Sequence, residues 1–333
     1  RPPISTLFPY TTLFRSGVTG ALAGLNGEQK VTSVAANIVK WATTEDDGTA
    51  TGTITIKMAP AGWAKVFTGT NLAVYQSLSP DKHGQFLRVN DTTAGHARVV
   101  GYETMTGIST GTGLFPSSAQ LSGGYYWGKN EDTTGTAATT YLFGSDGRVF
   151  YFFPQASYTY QGAVPGQAQC VAPQIFGDLL PLSPAGDPFA TLITGGTTTN
   201  WSFEGARYVF DYNSPDYMLA VPRPISGVGA SLRGLVIPEL NLGAHQSQAL
   251  PDPVTGAIPF GKVHYRDTNA SFPRAYFPGL LYCPARFAEL ITSPQDIIEL
   301  PSGKALATAW VGDQVNATGS ASLVGLDITS PWR

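Results

Sequence analysis

Charge is scarce in this sequence. Asp, Glu, Lys and Arg make up 13% of its 333 residues, against ~25% in ordinary globular domains. The 20 basic and 23 acidic residues leave a formal net charge of −3, with no basic footprint for nucleic acid or an anionic membrane surface. Cysteine is scarcer still. Two of them, Cys170 and Cys283, exclude a multi-bridge scaffold and a Cys-type zinc site. If bonded they would close a long loop, a contribution of about 4–5 kcal/mol in the chain-entropy picture; two buried thiols are the expected state. No run of 18 apolar residues occurs, so no helix is expected to span a bilayer. Helix signals are also rare: only residues 284–291 combine a Pro near the start with helical apolar spacing.

What fills the chain instead is Gly, Pro and short β-branched or aromatic bursts. Hydrophobic residues reach 42%, and the 38 Gly and 25 Pro stay below the level that signals disorder. A surface poor in Lys and Glu and covered by Thr, Ser, Asn and Gly belongs to an all-β protein with many tight turns. The expected fold is therefore all-β: a sandwich- or barrel-like main domain behind a truncated small β-module.

The first sixteen residues stand apart. Leu7-Phe8-Pro9-Tyr10-Thr11-Thr12-Leu13-Phe14-Arg15-Ser16 looks like a translated short-read sequencing adapter. Residues 1–16 are accordingly expected to lie outside the fold, with the native N-terminus missing. From Gly17, strand-like bursts at 30–34, 37–41 and 49–57 form the remnant of a small module. Met58-Ala59-Pro60-Ala61-Gly62 then breaks the pattern and marks a domain boundary.

Residues 58–333 continue the rhythm. Strands are expected at 86–89, 97–102, 140–143, 148–153, 207–210, 235–237, 296–300, 305–311 and 322–328. Gly144-Ser145-Asp146-Gly147, between aromatic runs, is the strongest hairpin signal. It should bury Phe150 and Phe152 on one face, with Tyr151 and Phe153 on the other. No repeat of 20–50 residues appears, which weighs against propellers, solenoids and fibre shafts. A subdomain break could fall in the loop-rich stretch 154–177, but composition does not change there, and one domain is expected across it.

Catalytic spacing is missing. His83, His96, His245 and His264 match no metal-ligand pattern and read as surface or turn histidines. No nucleophile elbow or Walker A motif is present. Gly227-Val228-Gly229 begins like a dinucleotide fingerprint, but Gly234 is out of place and no βαβ unit surrounds it, so no cofactor is expected. Asp211 and Asp216 could form a glycosidase carboxylate pair, yet their Asn-Ser-Pro surroundings are ordinary turn chemistry.

Tyr125, Tyr126 and Trp127 could stack on a glycan, although sheet or interface packing is commoner for such a run. Phe272, Tyr276 and Phe277 lie in an apolar segment, 272–278, that reads either as an exposed contact loop or as core. These six residues are the candidate interface or glycan contacts.

Several phrases are familiar. Ala21-Leu22-Ala23-Gly24-Leu25-Asn26-Gly27-Glu28-Gln29-Lys30-Val31, with residues 48–55, resembles a β-module of tailed-bacteriophage structural proteins. Ala59-Pro60-Ala61-Gly62-Trp63, Leu87-Arg88-Val89-Asn90-Asp91, residues 97–103 and 110–116, and the closing Gly325-Leu326-Asp327-Ile328-Thr329-Ser330-Pro331-Trp332-Arg333 resemble an uncharacterised family of phage virion proteins. The resemblance is one of short phrases and carries no catalytic motif. It implies a non-enzymatic virion component, with tail association as one placement, whose partners are other virion proteins and copies of itself, with neither nucleic acid nor membrane among them. Two rivals remain from other classes: a glycan-binding or adhesin-like β-protein, and a tailspike-type polysaccharide depolymerase.

Overall fold

A computed structural model describes residues 15–19, 27–35, 38–46, 55–58, 61–129, 140–155, 173–197, 219–239, 259–283, 297–300, 302–311, 322–329 and 331–333. Among the described residues every regular element is a β-strand, and every named strand pair is antiparallel. The all-β expectation holds.

Each of three sheets is drawn from one contiguous stretch of chain. The first joins β1 (Arg15–Thr19), β2 (Gly27–Ala35), β3 (Ile38–Trp41) and β4 (Thr55–Met58) in the order β3-β2-β1-β4. Arg15 and Ser16 do not lie outside the fold as expected. They open β1, where Arg15 pairs with Lys30, and Ser16 with Gln29 on one side and Met58 on the other. This sheet ends at Met58, and the next strand begins at Trp63.

The second sheet comprises β5 (Trp63–Gly69), β6 (Leu72–Ser77), β7 (Phe86–Asn90), β8 (His96–Met105), β9 (Gly111–Phe115) and β10 (Tyr125–Gly128). Its order is β10-β8-β7-β6-β5, with β9 sharing the β10 edge of the long strand β8.

The third sheet holds twelve strands: β11 (Thr140–Ser145), β12 (Val149–Gln155), β13 (Gln174–Asp178), β14 (Leu180–Pro181), β15 (Thr191–Thr194), β16 (Leu219–Val221), β17 (Leu232–Pro238), β18 (Gly261–Asp267), β19 (Ala275–Cys283), β20 (Ile297–Glu299), β21 (Ala305–Val311) and β22 (Ser322–Asp327). The path runs β11-β12-β13-β15-β16-β17-β18-β19-β22-β21-β20, and β14 pairs with β19. The stretch 174–181 therefore meets β15 through β13 and β19 through β14, which curls the sheet into a half-barrel. The two sides of 154–177 pair directly, Phe150 opposite Phe176 and Tyr151 opposite Ile175. The change of sheet comes between β10 and β11.

Two cores share four strands. Side chains alternate across a strand, and here both faces are covered. Val149, Tyr151, Phe153, Ile175, Leu192, Leu219 and Val221 point into the curl with Tyr265, Phe277 and Leu326. The intervening Phe150, Phe176, Ile193 and Ala220 pack outward against Trp63, Leu87, Val99, Phe115, Tyr125 and Trp127 of the second sheet. A strand buried on both faces reads as a continuous apolar run rather than a polar alternation, which is why residues 149–153 are apolar throughout.

The 144–147 hairpin forms as expected, with Ser145 opposite Phe150 and Phe143 opposite Phe152. Asp146 Oδ1 accepts the N–H groups of Arg148 (2.9 Å) and Val149 (2.8 Å), and Gly147 takes φ +85°. The burial expectation needs correcting. Tyr151 and Phe153 are the fully buried pair, Phe150 and Phe152 only half-buried, because the interior of the curl is the deeper core. Residues 207–210, 284–291 and Cys170 lie outside the described residues; Cys283 is buried.

Candidate functional site

Charged side chains inside a protein need partners, so a chain with few charges reveals its architecture by where it buries them. One group lies on the seam between the second and third sheets. The β6–β7 connection lays His83 and Gln85 against β13 and β15. Asp178 Oδ2 accepts the His83 backbone N–H at 2.9 Å and Arg148 Nε at 3.3 Å. Its Oδ1 accepts the Thr191 hydroxyl at 2.8 Å. The His83 ring presents Nδ1 to Thr191 Oγ1 at 3.2 Å and to Asp178 Oδ1 at 3.5 Å. Gln85 donates to the Pro188 carbonyl, and Arg333 donates to the Asp178 carbonyl and to Asp146.

Burial lowers the His83 pKa; Asp178 opposes that shift, and Arg148 and Arg333 reinforce it. The ring is accordingly neutral near pH 7. Histidine, carboxylate and hydroxyl meet here, but the hydroxyl and the carboxylate crowd the same ring nitrogen. A nucleophilic triad requires them on opposite nitrogens. The arrangement is a clamp between sheets. It is joined by Trp63 Nε1 donating to Ser145 Oγ (3.1 Å) and Trp127 Nε1 donating to the Thr194 carbonyl (2.5 Å).

The second group knits three loops at one end of the curled sheet: 182–190, 222–231 and 267–274. Arg274 is buried at its centre, its side chain 1% exposed. Its Nε and Nη2 grip Asp187 at 2.6 and 3.1 Å. Its Nη1 reaches Asp267 at 2.9 Å and the Arg223 carbonyl at 2.8 Å. Burial works against the guanidinium charge, but the hydrogen bonds and fields of the two aspartates outweigh it and raise its pKa. The second Asp267 oxygen accepts the Ile225 N–H, and Asp187 accepts that of Phe189. Arg223 forms a bidentate pair with Glu103, at 2.7 and 2.8 Å, and lies over the Phe189 ring. Both aspartates of this group are held by one guanidinium.

Above the triad the loops present Leu182 (44% exposed), Ile225 (42%), Val228 (77%) and Phe272 (54%). Leu182 is tied to Arg274 by its N–H to the Arg274 carbonyl. Gly227 sits so close to the Phe189 ring that a Cβ would stand 3.0 Å from it. The charged residues of the three loops are Asp187, Arg223, Asp267 and Arg274, and each is paired internally. Exposed beside these apolar residues are Ser226, Thr268, Asn269 and Ser271, and the Arg223 side chain is 37% exposed while paired with Glu103.

Of the six expected contact residues, the structure leaves one fully at the surface. Tyr125 and Trp127 are buried in the core between the second and third sheets. They are not a glycan platform, because β10 turns that face inward. Tyr126 faces outward but is half-buried, with the Arg98 guanidinium 3.8 Å from its ring centroid and His96 against its edge. Phe277 is buried inside the curl, and Tyr276 is half-buried beside His264 and Lys262. The segment 272–278 is therefore not one exposed loop; only Phe272 projects.

His83 and His264 are not plain surface histidines either. His83 is mostly buried, and His264 Nε2 lies 2.9 Å from Glu239. His245, Asp211 and Asp216 lie outside the described residues. Sequence reasoning missed Arg274, Asp187 and Asp267. The available signal was an arginine inside the apolar run 272–283, which a buried strand tolerates only with a paired charge. Among the described residues, no cluster of three or more His, Cys, Asp or Glu could hold a metal ion, and no helix is long and apolar enough to cross a membrane. Comparisons with protein families, curated proteins and solved structures returned no match to this chain.

Proposed function

We propose that this chain is a non-enzymatic structural component of a tailed-phage virion, acting through contacts with other virion proteins and with copies of itself. The observation that carries the reading is the three-loop end, where Arg274 is buried between Asp187 and Asp267 while Leu182, Ile225, Val228 and Phe272 are left outside. A component that works by docking gains from such a face, because interface cores are depleted in charge. A rigid triad beneath it lowers the ordering cost of association. The resemblance of short phrases to phage virion proteins supplies the setting, and low overall charge fits neither a nucleic-acid nor an anionic-membrane partner. The glycan-binding alternative gains no support from Tyr126, whose ring face is already occupied by Arg98.

The enzymatic alternative is tested by incubating the full chain with bacterial capsular and O-antigen polysaccharides and assaying new reducing ends. The expected result is none. Reproducible cleavage that one Asp or Glu substitution abolishes would overturn the proposal in favour of a depolymerase.

A further inference from the structure

We infer that Pro331-Trp332-Arg333 is a latch across two limbs of the curled sheet, one that opens and closes while the strands beneath it stay folded. Just before it, Ile328 and Thr329 are still tied to Ala305 of β21, Ile328 by its backbone N–H and Thr329 by its hydroxyl. Past that point the pairing stops. Among the described residues, no backbone group of 331–333 hydrogen-bonds to a strand, and Pro331 has no N–H to offer.

Two side chains hold the latch. The Trp332 ring lies against Gly144 of β11 and Gly279 of β19, strands that are distant along the ladder and meet because the sheet curls. A Cβ at Gly279 would stand 2.3 Å from the indole and one at Gly144 3.3 Å, so two missing side chains form its slot. Tyr151 lines the slot as well, its ring centroid 5.4 Å from that of Trp332. The indole Nε1 donates to the Asp327 carbonyl at 2.7 Å. Arg333 completes the closure. Its Nε donates to Asp146 at 2.5 Å, and its Nη1 and Nη2 donate to the Leu179 and Asp178 carbonyls. The segment thus ties the end of β22 to the 144–147 hairpin and the end of β13. Held by one ring and one guanidinium, with no ladder of its own, it can release at far less cost than a strand. Release uncovers the slot at Gly144, Tyr151 and Gly279 and leaves every strand pair in place.

Indole hydrogen exchange tests this on the full chain, because the molecule carries its own controls. Trp63 and Trp127 donate their Nε1–H groups inside the core between the second and third sheets, where only unfolding of that core exposes them. The three indole signals are assigned by single Trp→Phe variants and their exchange is followed by NMR at rising sub-denaturing urea. Trp332 should exchange at least about tenfold faster than Trp63 and Trp127, with a rate almost independent of urea, as local opening requires. R333A removes the charged anchor and should speed Trp332 exchange by about a further tenfold, while Trp63 and Trp127 keep their wild-type rates. The inference is overturned if Trp332 exchanges at the rate and with the urea dependence of the two core indoles. It is equally overturned if R333A leaves Trp332 exchange unchanged or speeds all three indoles alike.

Discussion

Arg274 shows how a protein with few charges uses one. A guanidinium 1% exposed between two buried carboxylates contributes little net stability over an apolar replacement of the whole group, but removing one partner strands the others. Arg274→Ala should therefore cost about 3–5 kcal/mol in urea unfolding. The contribution of His83 depends on pH. Its pKa is lowered in the fold from the ordinary 6.5, mainly by burial, so the unfolded chain binds the proton more tightly. Stability is then full above about pH 6.5 and declines as pH falls from there toward the folded value. His83→Gln should flatten that decline in pH-dependent thermal melts. Glu239, lowered by its hydrogen bond from His264, acts at more acid pH: its contribution is present above its ordinary 4.5 and is lost below. Neither the triad nor the clamp was legible in the sequence, because both depend on residues roughly 90 positions apart meeting in space, as Arg274 with Asp187 and His83 with Asp178.

At the scale of elements, β12 carries the clearest prediction. Phe153 lies wholly inside the curl, whereas Phe152 is half-buried beside Tyr141 and Phe143. Phe153→Ala should cost about 3–5 kcal/mol and Phe152→Ala clearly less; equal losses would mean the two faces are assigned wrongly. Gly177 is another fixed point, at φ +135° with a notional Cβ 2.2 Å from the Arg148 carbonyl oxygen. Gly177→Ala should lower stability by about 1–3 kcal/mol through backbone strain and push β12 and β13 apart. The hairpin at 144–147 and strands 305–311 and 322–327 could be read from sequence because turn residues and β-branched runs mark them locally. Strand β19 could not. Its register against β18 jumps between Tyr276 and Leu281, with Pro278 and Gly279 (φ +70°) inside the irregularity. Pro, Gly and Arg in one run imitate a loop, yet the Pro278 carbonyl accepts the Tyr151 hydroxyl at 2.8 Å, and the strand is core.

For the whole molecule, the composition made the all-β class legible, and the Pro-Gly break at 58–62 made the first sheet boundary legible. The two-core arrangement was not, because the sheet of residues 63–128 covers the outer face of β12, β13, β15 and β16 only through tertiary packing. Trp63 against Phe150 and Phe176 is the kind of contact no local pattern announces. The same packing turns Tyr125 and Trp127 inward. The claim that this is a virion component is tested most directly by sequencing outward from its reading frame in the DNA that carries it. The account predicts portal, tape-measure or tail genes on either side. Flanking genes of metabolism, with no virion gene among them, would contradict it.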